Sequence, residues 1–196
     1  GLNPYILDIM KILSNDSHQY DMPYYFLGQL MQTNFEYSSP TSLTQLGTAN
    51  GYEHLYEEGR ATMIGNSAQF NWLHNNNFYT ITSAMEDKDE LILARIGAND
   101  PNFNLRREPV LIQRKKSQKD ALFVSILEPH GAYSAVSELA VDAYSNFKKV
   151  EIIVDTVDYT AVKLMKINGD AHIFILSNSN SEINREHKLT INGKEK

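Results

Sequence analysis

The chain has 196 residues, with 18 Lys and Arg against 24 Asp and Glu, a formal charge of −6, and 42% hydrophobic against 21% charged residues. This balance sits near the globular average and excludes disorder as a global description, while the negative charge argues against nucleic acid as a partner, because phosphates are bound by cations. There is no Cys, which excludes disulfides, thiolate metal sites and thiol nucleophiles, and no apolar run of the roughly 18 residues that a membrane-crossing helix needs.

Along the chain, short β-branched and aromatic runs bounded by turn residues recur, and helical i, i+3, i+4 spacing is nearly absent. Strands are predicted over 5–13, 24–31, 52–57, 69–73, 78–84, 91–96, 110–115, 122–128, 150–154, 159–167, 171–176 and 188–191. The first follows Gly1 to Pro4, which carry neither a basic nor an apolar signal region, so upstream sequence is expected. A strand of this kind whose partner lies elsewhere exposes an edge, and self-association of the chain is expected from it. The run from Ser38 to Asn50 is polar and weakly patterned, which predicts a surface excursion. Asn75 to Asn77, Glu86 to Asp89, Ser117 to Asp120 and Asn168 to Asp170 have turn compositions and are read as hairpin connections. Leu122-Phe123-Val124-Ser125-Ile126-Leu127 is almost continuously apolar, as for a strand buried on both faces. Between Tyr159 and Ile167, Val162 and Leu164 share a parity with Thr160, and Lys163 and Met165 share the other. Some twelve strands with one wet face fold most economically as an all-β antiparallel sandwich of packed sheets. No segment is rich enough in Pro, Gly or Ser to split it, so one domain over residues 1–196 is expected.

The six histidines, His18, His54, His74, His130, His172 and His187, show no close metal-binding spacing, and neither a nucleophile elbow nor a phosphate loop is present. Three clusters remain. Ser17 to Tyr25 gathers His18, Tyr20 and Asp21 between two predicted strands, where a loop carries binding groups or a sandwich rim packs them. Arg106 and Arg107 end a Pro-bounded loop and open a run in which Arg114, Lys115, Lys116 and Lys119 follow, a local basic patch suited to an acidic sugar, or a solvated hairpin. Leu127 to Tyr133 places Glu128 and His130 two apart at the end of the buried strand, so both side chains face one way, either into a cleft or beneath a loop.

At these residues the chain resembles a known family. Pro4-Tyr5-Ile6-Leu7-Asp8, His18-Gln19-Tyr20-Asp21-Met22-Pro23, Asn50-Gly51-Tyr52-Glu53-His54-Leu55, Arg95-Ile96-Gly97-Ala98-Asn99-Asp100-Pro101 and Leu127-Glu128-Pro129-His130-Gly131 occur in the order found in the C-terminal β-sandwich region of heparinase II/III-like polysaccharide lyases, and resemble the oligo-alginate lyase branch most. The resemblance implies an upstream α/α toroid as partner, a cleft between toroid and sandwich, and β-elimination at a uronate in alginate or a heparin-like polymer. Catalytic Tyr and His groups, and the ligands of any zinc, would lie upstream. No catalytic residue, metal ligand or cofactor is therefore assigned to this chain, which is expected to have no turnover alone. Glu128, His130, Arg106, Arg107, His18 and Tyr20 are the candidate substrate-binding residues, with an acidic oligosaccharide or polysaccharide as partner and neither nucleic acid nor membrane. The resemblance also implies a periplasmic or secreted location. The competing class is a stand-alone carbohydrate-binding or architectural sandwich, permitted by 11 Tyr and limited by the single Trp72.

Overall fold

Alternating polarity lets each strand bury one face, and the chain stacks three antiparallel sheets on that basis. The structure is a computed structural model that describes residues 4–62, 65–97, 108–179, 186, 188–191 and 194–195. The central sheet runs β1 (Ile6–Ile12), β9 (Ala121–Ser134), β6 (Asn77–Ala84), β5 (Ser67–His74) and β3 (Gln29–Thr33), with β10 (Leu139–Val141) added to the far end of β9. A front sheet is ordered β2 (His18–Tyr25), β8 (Glu108–Gln118), β7 (Glu90–Ile96) and β4 (Leu55–Thr62). A back sheet consists of β11 (Phe147–Asp155), β12 (Tyr159–Lys166) and β13 (Ala171–Ser177). A short pair, β14 (Thr190–Ile191) with β15 (Lys194–Glu195), lies near the end.

The all-β sandwich expected from the sequence is present, and the back sheet gives it a third layer. Met22, Tyr24 and Phe26 of the front sheet and the turn after it pack against Phe70, Trp72, Ile81 and Phe123 of the central sheet. On the opposite side, Leu122, Val124 and Ile126 meet Phe147, Val150, Val162 and Leu164. Strand β9 therefore sends alternate side chains into two cores, and Phe123 and Val124 are 2% and 0% exposed. This is the doubly buried strand that its continuous apolarity predicts. The polarity on β12 also holds, with Thr160, Val162 and Leu164 buried toward the central sheet.

The turns divide into two kinds. Asn75 and Asn76 both take positive φ and close a true hairpin between β5 and β6, and Gly169, at φ 94°, closes another between β12 and β13. Glu86 to Asp89 and Ser117 to Asp120 are not hairpins: each carries the chain from one sheet to the other, since β6 and β9 lie in the central sheet and β7 and β8 in the front one. Turn composition specifies a reversal but not whether the flanking strands pair. The expected strand over 24–31 is likewise two, split at Gly28 (φ 105°) between β2 in the front sheet and β3 in the central sheet. A Cβ at Gly28 would stand 2.1 Å from the Leu73 carbonyl oxygen, so the close approach requires glycine there. Tyr52 to His54 form a single 3-10 turn before β4.

The excursion from Ser38 to Asn50 folds back along β4 through bridges at Ser38 to Arg60 and Gln45 to Tyr56, and Leu46 helps to cover Ile92, Ala94, Val110 and Ile112 on the outer face of the front sheet. At the other margin of the fold, β1 pairs, among the described residues, with β9 alone and leaves Ile6 and Met10 exposed.

A polar cleft on the central sheet

The back sheet covers only part of the central one. Beside Phe147, the back-facing positions of β5 and β6 change from apolar to polar: Gln69 and Asn71 on β5, Thr80 and Thr82 on β6. Above them lies a cleft of about 280 Å³, floored by Gln69, Asn71 and Thr80, bounded by Thr33 and Asn34 and walled by Tyr144, Ser145, Phe147 and Lys148. Asn34 fastens β3 to this floor, accepting from the Gln69 amide at 2.6 Å and donating to the Ser67 carbonyl at 3.3 Å.

Glu128 and His130 both point to this side, as their spacing on a strand requires, and both lie below the cleft rather than in it. Glu128 is 1% exposed. Its Oε2 accepts from Ser145 Oγ at 2.5 Å and Asn146 N at 3.0 Å, and its Oε1 accepts from Asn146 Nδ2 at 2.8 Å. A buried carboxylate needs donors or a cation, and these three donors supply the need while fixing the segment that forms one wall. His130 is 5% exposed and lies nearly parallel to Phe78 at 6.2 Å. Its Nδ1 faces the Asp142 carbonyl at 2.7 Å, so Nδ1 carries the proton, and Nε2 accepts from Thr80 Oγ1 at 2.8 Å and from Asn71 Nδ2 at 3.5 Å. The Asp142 carbonyl comes this close because Gly131 takes φ 51°; a Cβ there would stand 2.1 Å from that oxygen.

His18 and Tyr20 belong to strand β2, not to a loop, and Pro23 is tolerated because β2 is an edge strand. His18 Nε2 is 3.1 Å from Ser14 Oγ, and Tyr20 Oη donates to the Lys119 carbonyl at 2.7 Å. The pair stands beside the start of β9, seven residues or roughly 23 Å along the strand from Glu128. The structure therefore joins Glu128 with His130 and His18 with Tyr20, but keeps the two pairs apart. Arg106 and Arg107 lie outside the described residues.

The rest of the basic run is dispersed by strand alternation. Arg114 and Lys116 go to the outer face of the front sheet, where Arg114 grips Asp21 in two hydrogen bonds of 2.8 and 2.7 Å and Lys116 meets Glu90 at 2.7 Å. Lys115 points inward, is 1% exposed, and pairs with Asp89 at 2.9 Å. Tyr52 Oη donates to Asp21 at 2.5 Å, which links the His18-to-Pro23 motif to the Asn50-to-Leu55 motif. Burial, then the hydrogen bond and charge of Asp21, push the Tyr52 phenol up, while Asp21 raises Arg114 further. A phenol held protonated against an ion pair is a tie between loop and sheet, not a base.

Sequence reasoning missed Gln69, Asn71, Thr80, Tyr144 and Lys148. The signal was the alternation in Gln69-Phe70-Asn71-Trp72, whose polar parity reads as a wet face but lies under the Tyr144-to-Phe147 segment. Among the described residues, no group of three or more His, Asp or Glu side chains is placed to hold a metal ion.

No protein-family model matches the chain. Two curated proteins do. An exo-oligoalginate lyase of Saccharophagus degradans is 34% identical over 191 residues, which is 95% of this chain and 26% of the lyase. An alginate lyase of Stenotrophomonas maltophilia is 35% identical over 191 residues, 97% of this chain and 26% of the lyase. The chain thus spans about a quarter of the length of the curated relatives it matches.

Proposed function

We propose that this chain is the C-terminal β-sandwich region of a heparinase II/III-like alginate lyase that cleaves uronate linkages by β-elimination. The observation that carries this reading is similarity along almost the whole chain to two proteins named as alginate lyases, at 34% and 35% identity. In β-elimination a base removes the proton beside the uronate carboxylate, an acid protonates the departing glycosidic oxygen, and cations or donors neutralise the carboxylate so that the proton becomes acidic. The three-layer sandwich supplies none of the proton-transfer groups in this reading; they belong to an upstream α/α toroid, as do the ligands of any zinc. Glu128 and His130 serve the substrate indirectly, by fixing the wall and floor of the polar cleft. Arg106 and Arg107 supply the charge that an acidic sugar calls for, and His18 and Tyr20 are the further candidate contacts. The free edge of β1, with Ile6 and Met10 beside it, receives either the upstream part of the lyase or a second copy of the chain. The enzyme works in the periplasm or outside the cell.

The test compares this chain with the longer product of its reading frame on alginate and heparin-type oligomers, following the ultraviolet absorbance of the unsaturated uronate. Turnover of alginate by the longer protein and none by this chain is expected. Turnover by this chain would overturn the upstream placement of the chemistry, and a longer protein inert toward both polymers would overturn the lyase reading.

A further inference from the structure

Asn-Gly pairs occur at Asn50, Asn168 and Asn192, of which Asn192-Gly193 lies outside the described residues. In such a pair a chain can modify itself, because glycine has no Cβ to shield its amide nitrogen from the neighbouring carboxamide carbon. The two described pairs are both exposed and both sit in turns, yet they differ in what holds them. Between β12 and β13, Asn168 Nδ2 donates to Asp170 Oδ2 at 2.8 Å, Asn168 Oδ1 accepts from the Asp170 amide at 3.0 Å, and the Gly169 amide donates to the Lys166 carbonyl at 3.2 Å. Electrophile and nucleophile are each occupied there. At Asn50 neither is: among the described residues, the Asn50 carboxamide and the Gly51 N–H enter no hydrogen bond with the protein. A Cβ built on Gly51 would meet no atom beyond its chain neighbours within 4 Å, so ring closure and the entry of water are unobstructed. The pair lies in a tight turn, with Asn50 at φ 60°, Gly51 at φ 88° and the Tyr52 amide donating to the Ala49 carbonyl at 3.3 Å.

We infer that Asn50 is a self-modification site of this protein, deamidating by cyclisation onto Gly51 while Asn168 is protected. The Gly51 amide nitrogen, its proton lost to solvent base, attacks Asn50 Cγ. The N–Cγ bond forms, the Cγ–Nδ2 bond breaks, and ammonia leaves with a proton from water, which gives a five-membered succinimide. Water then opens the ring at one of its two carbonyls. Opening at one leaves aspartate; opening at the other leaves isoaspartate, in which the main chain runs through the former side chain and is one methylene longer. Either product adds a negative charge. Only isoaspartate reroutes the backbone, two residues before Tyr52, whose phenol donates to Asp21 where Arg114 grips it. Ageing of this one pair therefore loosens the tie between loop and front sheet. The inference rests on neither the lyase reading nor the polar cleft.

Incubation of the folded chain in warm, mildly alkaline buffer, followed by cleavage after glutamate and mass spectrometry, tests the assignment. Residues 37–53, 152–182 and 187–195 then report the three pairs separately. Peptide 37–53 is expected to take on the mass of an acid in place of an amide about tenfold faster than 152–182, the factor that two net hydrogen bonds broken before attack supply. Part of it should then accept a methyl group from an isoaspartate carboxyl methyltransferase. In denaturant, where the turns are lost, the two rates should converge. A folded-state rate at Asn168 equal to or above that at Asn50, or a peptide 37–53 that reacts only in denaturant, would overturn the assignment. Asn50→Asp supplies the charge without the longer backbone, and its hydrogen exchange at residues 52–55 should match that of the fresh protein. The isoaspartate form should exchange faster there; exchange no faster than in Asn50→Asp would overturn the loosening of Tyr52.

Discussion

The two faces of the central sheet solve the same problem in different ways. Toward the front sheet, Phe70 lies against Trp72 at 5.5 Å, Trp72 against Tyr79 at 5.4 Å, and Phe26 closes on Trp72 at 5.3 Å, a continuous aromatic layer in which bulk does the holding. Toward the back, the apolar contact of Val124 and Ile126 gives way within one strand to Glu128 and His130, whose polar atoms are all held by directed hydrogen bonds. The aromatic layer is tolerant of detail and intolerant of lost volume. The polar half is the reverse: it can hold a defined surface open to solvent, but only if each donor meets its acceptor. The cleft therefore forms where the packing solution changes, not at a loop tip.

Three measurements sharpen or break that contrast. The largest effect is expected from Phe123→Ala, which empties a fully enclosed position in the aromatic core and should cost about 3–5 kcal/mol, seen as a melting temperature lower by roughly 10 °C or more. A small shift would mean that the layer re-packs, and that bulk is not what holds it. Glu128→Ala comes next, at about 2–3 kcal/mol, because it strands the donors of Ser145 and Asn146 below the cleft. Its distinguishing sign is faster hydrogen exchange at residues 142–147 with the aromatic core still protected; uniform loss of protection would show that the two halves are one cooperative unit.

The smallest effect lies outside both faces, on the wet side of the front sheet. Burial there resists ionisation of Glu90, yet the hydrogen bonds and charges of Lys116 and Arg60 outweigh it and hold the Glu90 carboxyl below its ordinary value of 4.5. With the folded pKa depressed, the stabilisation is present above the unfolded value and is lost as pH falls through the folded one. Glu90→Gln should therefore remove a small stabilisation at pH 7, small because the pairs are partly exposed, and flatten the decline below about pH 5 by the same amount. An unaltered acid limb would remove Glu90 from the account of acid sensitivity.

Much of this architecture was legible in the sequence, for physical reasons that also mark where legibility ended. The run from Leu122 to Leu127 announced a strand with no wet face, and Asn75-Asn76-Asn77 announced a hairpin turn, which the chain closes at positive φ, because both are properties of a few adjacent residues. Glu86 to Asp89 and Ser117 to Asp120 misled, since whether a turn joins paired strands or crosses between sheets depends on partners far away in the chain. Similarly, the spacing of Glu128 and His130 showed that they share a side, but nothing local showed that Ser145 and Asn146 would come to lie over Glu128. Strand β2 went unseen because His18, Gln19, Asp21 and Pro23 read as a loop; as an edge strand, it tolerates them.

The position of β9 bears on how fast the molecule can assemble. It pairs with β1 in a register that sets Ile6 opposite Leu127, 121 positions apart, and with β6 in a register that sets Ser83 opposite Ser125. Neither of these partners is joined to β9 by a hairpin, and the short pairing with β10 covers only its far end, from Ala132 to Ser134. Closing such long loops comes before the contacts that reward it, which puts refolding in the slow range of β-proteins, milliseconds to seconds. Until β9 docks, both cores lack a shared wall, whereas the hairpin of β5 with β6, the β7–β8 pair and the meander of β11 to β13 each join strands that are consecutive in the chain. Docking of β9 therefore supplies a wall to two hydrophobic cores in one step.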